Sequence, residues 1–240
     1  MLKEGGALGQ KPILLLADSQ NLFWQLKGRY FLSLFFEGDL PQSAAYIGAS
    51  NDDRAEYFEI FKAAMDTAGI RQKFFIRKTF DSTDRQHLQE ADLILLAGGD
   101  IQKGWHIIKK SGMAGIICDR FYHGAYLMGI SAGAVQIGLV GFDARGQTFE
   151  TLKCLPLAVD VHQESDQWQR LKTVLQSLQN QYVQGIGLPR GSGIIYHPDH
   201  SIEAVRKPVS LFEQTDSGLK QHLLLPAKYD QTTINEVSES

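Results

Sequence analysis

Three apolar runs constrain the fold more than anything else in the chain: "ILLLA" at 13–17, "LILLAGGD" at 93–100 and "AYLMGI" at 125–130. A strand with one face in water alternates apolar and polar residues. An unbroken apolar run bounded by polar residues instead suits a strand covered on both faces, as in a parallel sheet. Parallel neighbours need crossover connections, and the segments between the runs supply them. "NDDRAEYFEIFKAAMDTAGI" opens on capping residues, carries Tyr57, Ile60, Phe61, Ala64 and Met65 at helical spacing, and stops at Gly69. Further strands are predicted at "AAYIGAS" and "KFFIRKTF", and helices at "DRQHLQEA" and "AGIICDRFYHG". The alternation predicts an α/β fold with a mostly parallel sheet, whose ligands sit outside the carboxyl ends of the strands.

From residue 155 the pattern changes. "LPLAVDVH" reads as a strand, "DQWQRLKTVLQSLQN" as an amphipathic helix, and "GIGLPRGSGIIYHPDHSIEAV", "VSLFEQT" and "QHLLLPA" as a β-rich C-terminal part. A single domain over residues 13–228 is expected, between a flexible N-terminus at 1–12 and a polar tail at 229–240. A formal charge of −3 gives no reason to expect a nucleic-acid partner. No apolar run is long enough to span a bilayer, and no secretory signal opens the chain. The two cysteines, Cys118 and Cys154, sit in apolar surroundings without metal-ligand spacing, which places the protein in the reducing cytoplasm. "GGALGQ" precedes a strand, and "GIGLPRG" has no helix after it, so neither makes a nucleotide loop. His197-Pro198-Asp199-His200 reads as a hairpin turn instead of a metal site. No cofactor and no metal are expected.

The chemistry concentrates at strand ends. Gly129-Ile130-Ser131-Ala132-Gly133 is a G-x-S-x-G arrangement in which small neighbours permit either a serine helix cap or a strained strand-to-helix turn that presents the hydroxyl. Gly98-Gly99-Asp100 closes the preceding strand, where a residue lacking a side chain lets backbone N–H groups approach an oxyanion. Gly99 and Ala132 N–H would then flank Ser131. A base is offered by His162, at the carboxyl end of its own strand and so at the same sheet edge as Ser131. For the group orienting that base, Asp143 is preferred and Glu150 is the alternative. Asp160, on the histidine's own strand, is poorly directed for the task.

The order "LILLAGGD", "GISAGA", a strand ending in "VDVH", an arginine-bearing helix and "GIGL" resembles the peptidase E and cyanophycinase family of serine peptidases over roughly residues 45–205. The resemblance implies a flavodoxin-like three-layer α/β sandwich related to glutamine amidotransferases, with serine as nucleophile. It implies metal-free hydrolysis of small peptides or amides next to an aspartyl residue. Carried onto this sequence, the nucleophile falls on Ser131, the base on His162 and the oxyanion donors on Gly99 and Ala132. Gly98, Asp100 and Gln102 occupy places of substrate contact, and Arg170 is the candidate cation for an acidic substrate. Val161, Gln163 and Pro189 depart from the family pattern around the histidine and after "GIG". They leave room for an inactive ligand-binding relative or an acyl-transfer enzyme. A small peptide or amide substrate is the expected partner, with a homodimer compatible with the reading.

Overall fold

The structure is a computed structural model that describes residues 10–143, 146–178, 183–215 and 218–227. The expected polar tail at 229–240 lies outside the described residues, as do residues 1–9 of the expected flexible N-terminus. Among the described residues a seven-stranded sheet runs in the order Ile202–Val205, Gly193–Tyr196, Ile13–Leu16, Tyr126–Ile130, Leu93–Leu96, Ser43–Ile47, Gln72–Ile76. The last five of these are mutually parallel. Gly193–Tyr196 joins antiparallel to Ile13–Leu16, and Ile202–Val205 antiparallel to Gly193–Tyr196.

The unbroken apolar runs follow from this placement. Ile13 and Leu15 point into one apolar cluster while Leu14 and Leu16 point into another, and Ile94 and Leu96 likewise part from Leu93 and Leu95. Every second residue faces the opposite layer, so a polar residue at any of these positions would be buried. Burying each leucine is worth about 1.5–3 kcal/mol. The helix Ala55–Ala68 covers one face with Phe61, Ala64, Met65 and Ala68. Ser82–Glu90, Ile101–Ser111, Met113–Tyr122 and Ala132–Ile137 cover the other.

Beside this three-layer body stands a four-stranded sheet in the order Leu157–Val161, Gln184–Leu188, Val209–Thr215, Gly218–Leu224. Its first pair is parallel and the others antiparallel. Val159, Val161, Ile186 and Leu188 join the same apolar cluster as Ala134, Val135 and Ile137, so the short helix after Ser131 is packed between the two sheets. The helix Gln169–Ser177 covers the far face with Leu171, Val174 and Leu175.

Two features depart from expectation. The helix Ile101–Ser111 has no bounds legible in the sequence, although His106 reads there as part of a helical segment and Asp100 caps the helix by accepting the Lys103 N–H at 2.9 Å. Residues 19–35 hold a 3-10 turn, a two-residue hairpin at Gln25–Leu26 and Arg29–Tyr30, and a short helix, none of which has a periodic signature.

Candidate active site

Ile13–Leu16, Tyr126–Ile130 and Leu93–Leu96 are adjacent and parallel, so the residues following them emerge at one sheet edge. There a cleft of about 440 Å³ is lined by Ala17 and Asp18, by Gly98 and Gly99, and by Ser131. His162 completes this part of the lining. It arrives from the four-stranded sheet, not from the sheet that carries Ser131, and meets the cleft because the two sheets pack together.

Ser131 has φ 50° and ψ −110°, and its side chain makes no capping hydrogen bond to the helix it precedes. The choice between a cap and a strained turn is thereby decided for the turn. Such a conformation costs on the order of 1–3 kcal/mol and persists only where the surroundings enforce it. They do: Ser131 N–H donates to Leu16 O at 2.9 Å, and Ser131 O accepts from Ala134 N–H at 3.0 Å. A Cβ at Gly133 would stand 2.1 Å from Leu96 O, so only glycine lets the helix start this close to the neighbouring strand.

Gly99 has φ 139°, and a Cβ there would stand 2.0 Å from Ser50 O. That approach is fixed by Asp100 N–H, which donates to the same Ser50 O at 2.8 Å. Ala132 is the first residue of its helix, where the N–H has no intrahelical acceptor. Of the two expected oxyanion donors, Gly99 lines the cleft together with Ser131, and Ala132 directly follows the serine in the chain. Gly98 packs against the serine itself, since a Cβ there would lie 3.3 Å from Ser131 Cβ.

His162 has φ 60°, which ends the regular strand and turns its ring away from the alternation that would have paired it with Asp160. Its N–H donates to Leu188 O at 3.1 Å. Burial holds the imidazole below its ordinary pKa, and the Arg190 charge pushes the same way; Asp18, Glu164 and the Ala17 carbonyl oppose them. The net effect favours the neutral ring that a general base requires. Among the described residues His162 Nδ1 is buried without a hydrogen-bond partner. No hydrogen bond joins the Ser131 hydroxyl to His162; catalytic hydrogen bonds commonly tighten only when substrate is present.

The expected acids sit elsewhere. Asp143 accepts the Gln147 N–H at 2.9 Å within the turn between Gly141–Phe142 and Thr148–Phe149, and Glu150 pairs with Lys109 at 2.5 Å. Neither lines the cleft; Asp18 and Glu164 raise the His162 pKa through their charge, and buried Asp160 also interacts electrostatically with His162. Asp18 accepts from Gly191 N–H at 2.6 Å and Gln20 N–H at 3.1 Å, which ties the first strand to the loop carrying Arg190. Sequence reading passed over Asp18, although it follows the first apolar run as Gly98 follows the second.

Arg170 is likewise committed away from substrate. Its guanidinium pairs with both oxygens of Asp160 and lies 5.2 Å from the centre of the Phe142 ring. Asp160 is fully buried; burial raises its pKa, while the guanidinium and the Val161 N–H pull it back. Asp100 is a helix cap, and Gln102 lies on the exposed face of the helix it begins; neither lines the cleft. His197 to His200 form a hairpin turn closed by His200 N–H to His197 O at 2.9 Å. Among the described residues no cluster of histidine, cysteine or carboxylates could hold a metal ion, and no helix is long and apolar enough to cross a membrane.

Comparison with known proteins agrees with this fold. The model of peptidase family S51 matches residues 29–204, most of the chain. Among solved structures, a peptidase from an acI-B1 actinobacterium superposes with a TM-score of 0.66 at 14% identity, covering 91% of this chain and 96% of that one. A protein assigned as peptidase E from Listeria monocytogenes EGD-e superposes with a TM-score of 0.62 at 17% identity, covering 82% of this chain and 99% of that one. No curated protein matches the sequence.

Proposed function

The chain belongs to peptidase family S51 and is a serine peptidase, and from that premise we propose that it hydrolyses small peptides or amides through an ester formed on Ser131. The observation that carries this reading is the serine held at φ 50° without a capping bond, in a cleft it shares with His162 and Gly99. In the first step His162 takes the hydroxyl proton as Ser131 Oγ attacks the carbonyl carbon. The oxyanion is met by the Gly99 and Ala132 N–H groups, and the protonated imidazole then gives its proton to the leaving amine. Water attacks the ester in the second step with His162 again as base, which releases the acid and restores the hydroxyl.

The imidazolium formed between these events is favoured by the Asp18 and Glu164 carboxylates and by the Ala17 carbonyl. We assign the electrostatic role to that pair in place of Asp143 or Glu150. Hydrolysis next to an aspartyl side chain, which the family resemblance implies, would require a cation in the cleft. Arg170 is spent on Asp160, and Arg54, which lines the cleft, pairs with Glu56. The reading therefore rests on the peptide or amide bond and not on an aspartyl neighbour. A cytoplasmic setting is supported by two free thiols, Cys118 and Cys154, whose sulfurs share a hydrogen bond at 3.8 Å.

A non-catalytic binding role is favoured by one observation, the buried Nδ1 of His162 without a partner. Ser131→Ala separates the two. The hydrolase loses turnover and covalent labelling by a fluorophosphonate while its unfolding transition stays in place; a binding protein shows no serine-dependent labelling to lose.

A further inference from the structure

Beyond Ser131 the cleft wall is largely apolar, with Leu22, Tyr46, Tyr57, Ile60, Phe61 and Ile130 among its lining residues. Leu22, Tyr46, Phe61 and Ile130 are backed by the core, whereas Tyr57 and Ile60 are 39% and 37% exposed. Those two stand on the helix Ala55–Ala68, one turn apart and next to Phe61. Large apolar groups left open on a concave wall are what a ligand's apolar group covers. The polar tip of Tyr46 is already engaged, accepting from Asn51 Nδ2 at 2.7 Å, so its ring is held in place.

The charges in the lining point the same way. Asp18 and Asp52 are carboxylates, and Asp52 is held by Lys78 and Lys103. Arg54, which lines the cleft, pairs with Glu56 and lies 5.0 Å from the centre of the Tyr57 ring. An acidic side chain entering here would give up water and find the lining's Arg54 already paired with Glu56, whereas an apolar one would cover the wall.

We propose that this wall is a subsite for an apolar, preferably aromatic, side chain on the residue whose carbonyl Ser131 attacks, with Tyr57 and Ile60 as its specificity-determining residues. Ile130 directly precedes the nucleophile, so the wall begins where the reacting carbonyl must lie. The inference rests on the serine-hydrolase reading and gives that reading its substrate class.

The test uses two diphenyl α-aminoalkylphosphonates on the full chain, one bearing a benzyl and the other a carboxymethyl side chain. Each reacts when Ser131 Oγ bonds to phosphorus and phenol departs with the hydroxyl proton. A simple fluorophosphonate serves as the reference reagent. The benzyl reagent is expected to modify Ser131 about tenfold faster or more than the carboxymethyl one. Ile60→Arg, at an exposed position, is expected to collapse or invert that ratio, with thermal unfolding as the check that it folds. Equal rates, the reverse order, or a ratio unmoved by a folded Ile60→Arg overturns the subsite. So does failure of both reagents while the fluorophosphonate still labels Ser131. Failure of the fluorophosphonate overturns the hydrolase reading, and the subsite with it.

Discussion

Arg170→Leu distinguishes a structural arginine from a substrate-binding one. Asp160 is 0% exposed and the Arg170 side chain 18% exposed, so the substitution strands a buried carboxylate that keeps only the Val161 N–H at 2.9 Å. Breaking one side of a buried pair costs about 3–5 kcal/mol, against a total stability of roughly 5–15 kcal/mol for a domain. The variant should fold with a urea midpoint about 1–2 M lower. The deficit should also depend on pH. Without the guanidinium, burial raises the Asp160 carboxyl further above its unfolded value, so the folded state binds the extra proton. Stability then falls as pH rises from near 4, the unfolded value, through the raised folded one. Unfolding followed by tryptophan fluorescence at pH 5 and pH 8 reads this out, because Trp168 is buried in the same cluster as Leu171 and Val174. The deficit should be smaller at pH 5. Replacing Asp160 and Arg170 together by leucine should recover most of the loss. A deficit under about 1 kcal/mol at both pH values, or a raised KM with stability intact, would refute this placement of Arg170.

Three further outcomes follow from the geometry of the turn and the field on the base. Gly133→Ala drives a methyl into Leu96 O, so the turn must retreat from its strand; covalent labelling of Ser131 should slow by more than about tenfold, and an unchanged rate would contradict the packing. Arg190→Gln removes a charge that disfavours the imidazolium, so the His162 pKa should rise and the acid limb of kcat/KM against pH should move to higher pH. Asp18→Asn should move it to lower pH; shifts of the opposite sign would count against the assignment of those charges.

The parallel strands were legible because burial on both faces leaves no polar residue in a run such as "LILL". Ser131, Gly99 and His162 were legible because each ends a strand. The strand's sheet was not: "LPLAVDVH" reads the same in either sheet, and only packing assigned His162 to the second. Helical spacing gave Tyr57 and Ile60 the same standing as Phe61, since a periodic pattern cannot tell a core from a cleft. Arg170 looked like a solvated or substrate-facing residue because its partner, Asp160, belongs to a different element. The helix Ile101–Ser111 was obscured by Gly104, whose absent side chain admits Ser50 Oγ and Gln136; Asp100, with its cap bond to Lys103 N–H, was the available signal.

The central claim is that Ser131 Oγ is the nucleophile and His162 its base. Peptide mapping after reaction with a fluorophosphonate tests it most directly. One adduct per chain is predicted, on the peptide bearing Ser131, absent in Ser131→Ala and formed far more slowly in His162→Ala. A folded wild-type protein that takes no adduct, or takes it on another residue, would contradict the claim.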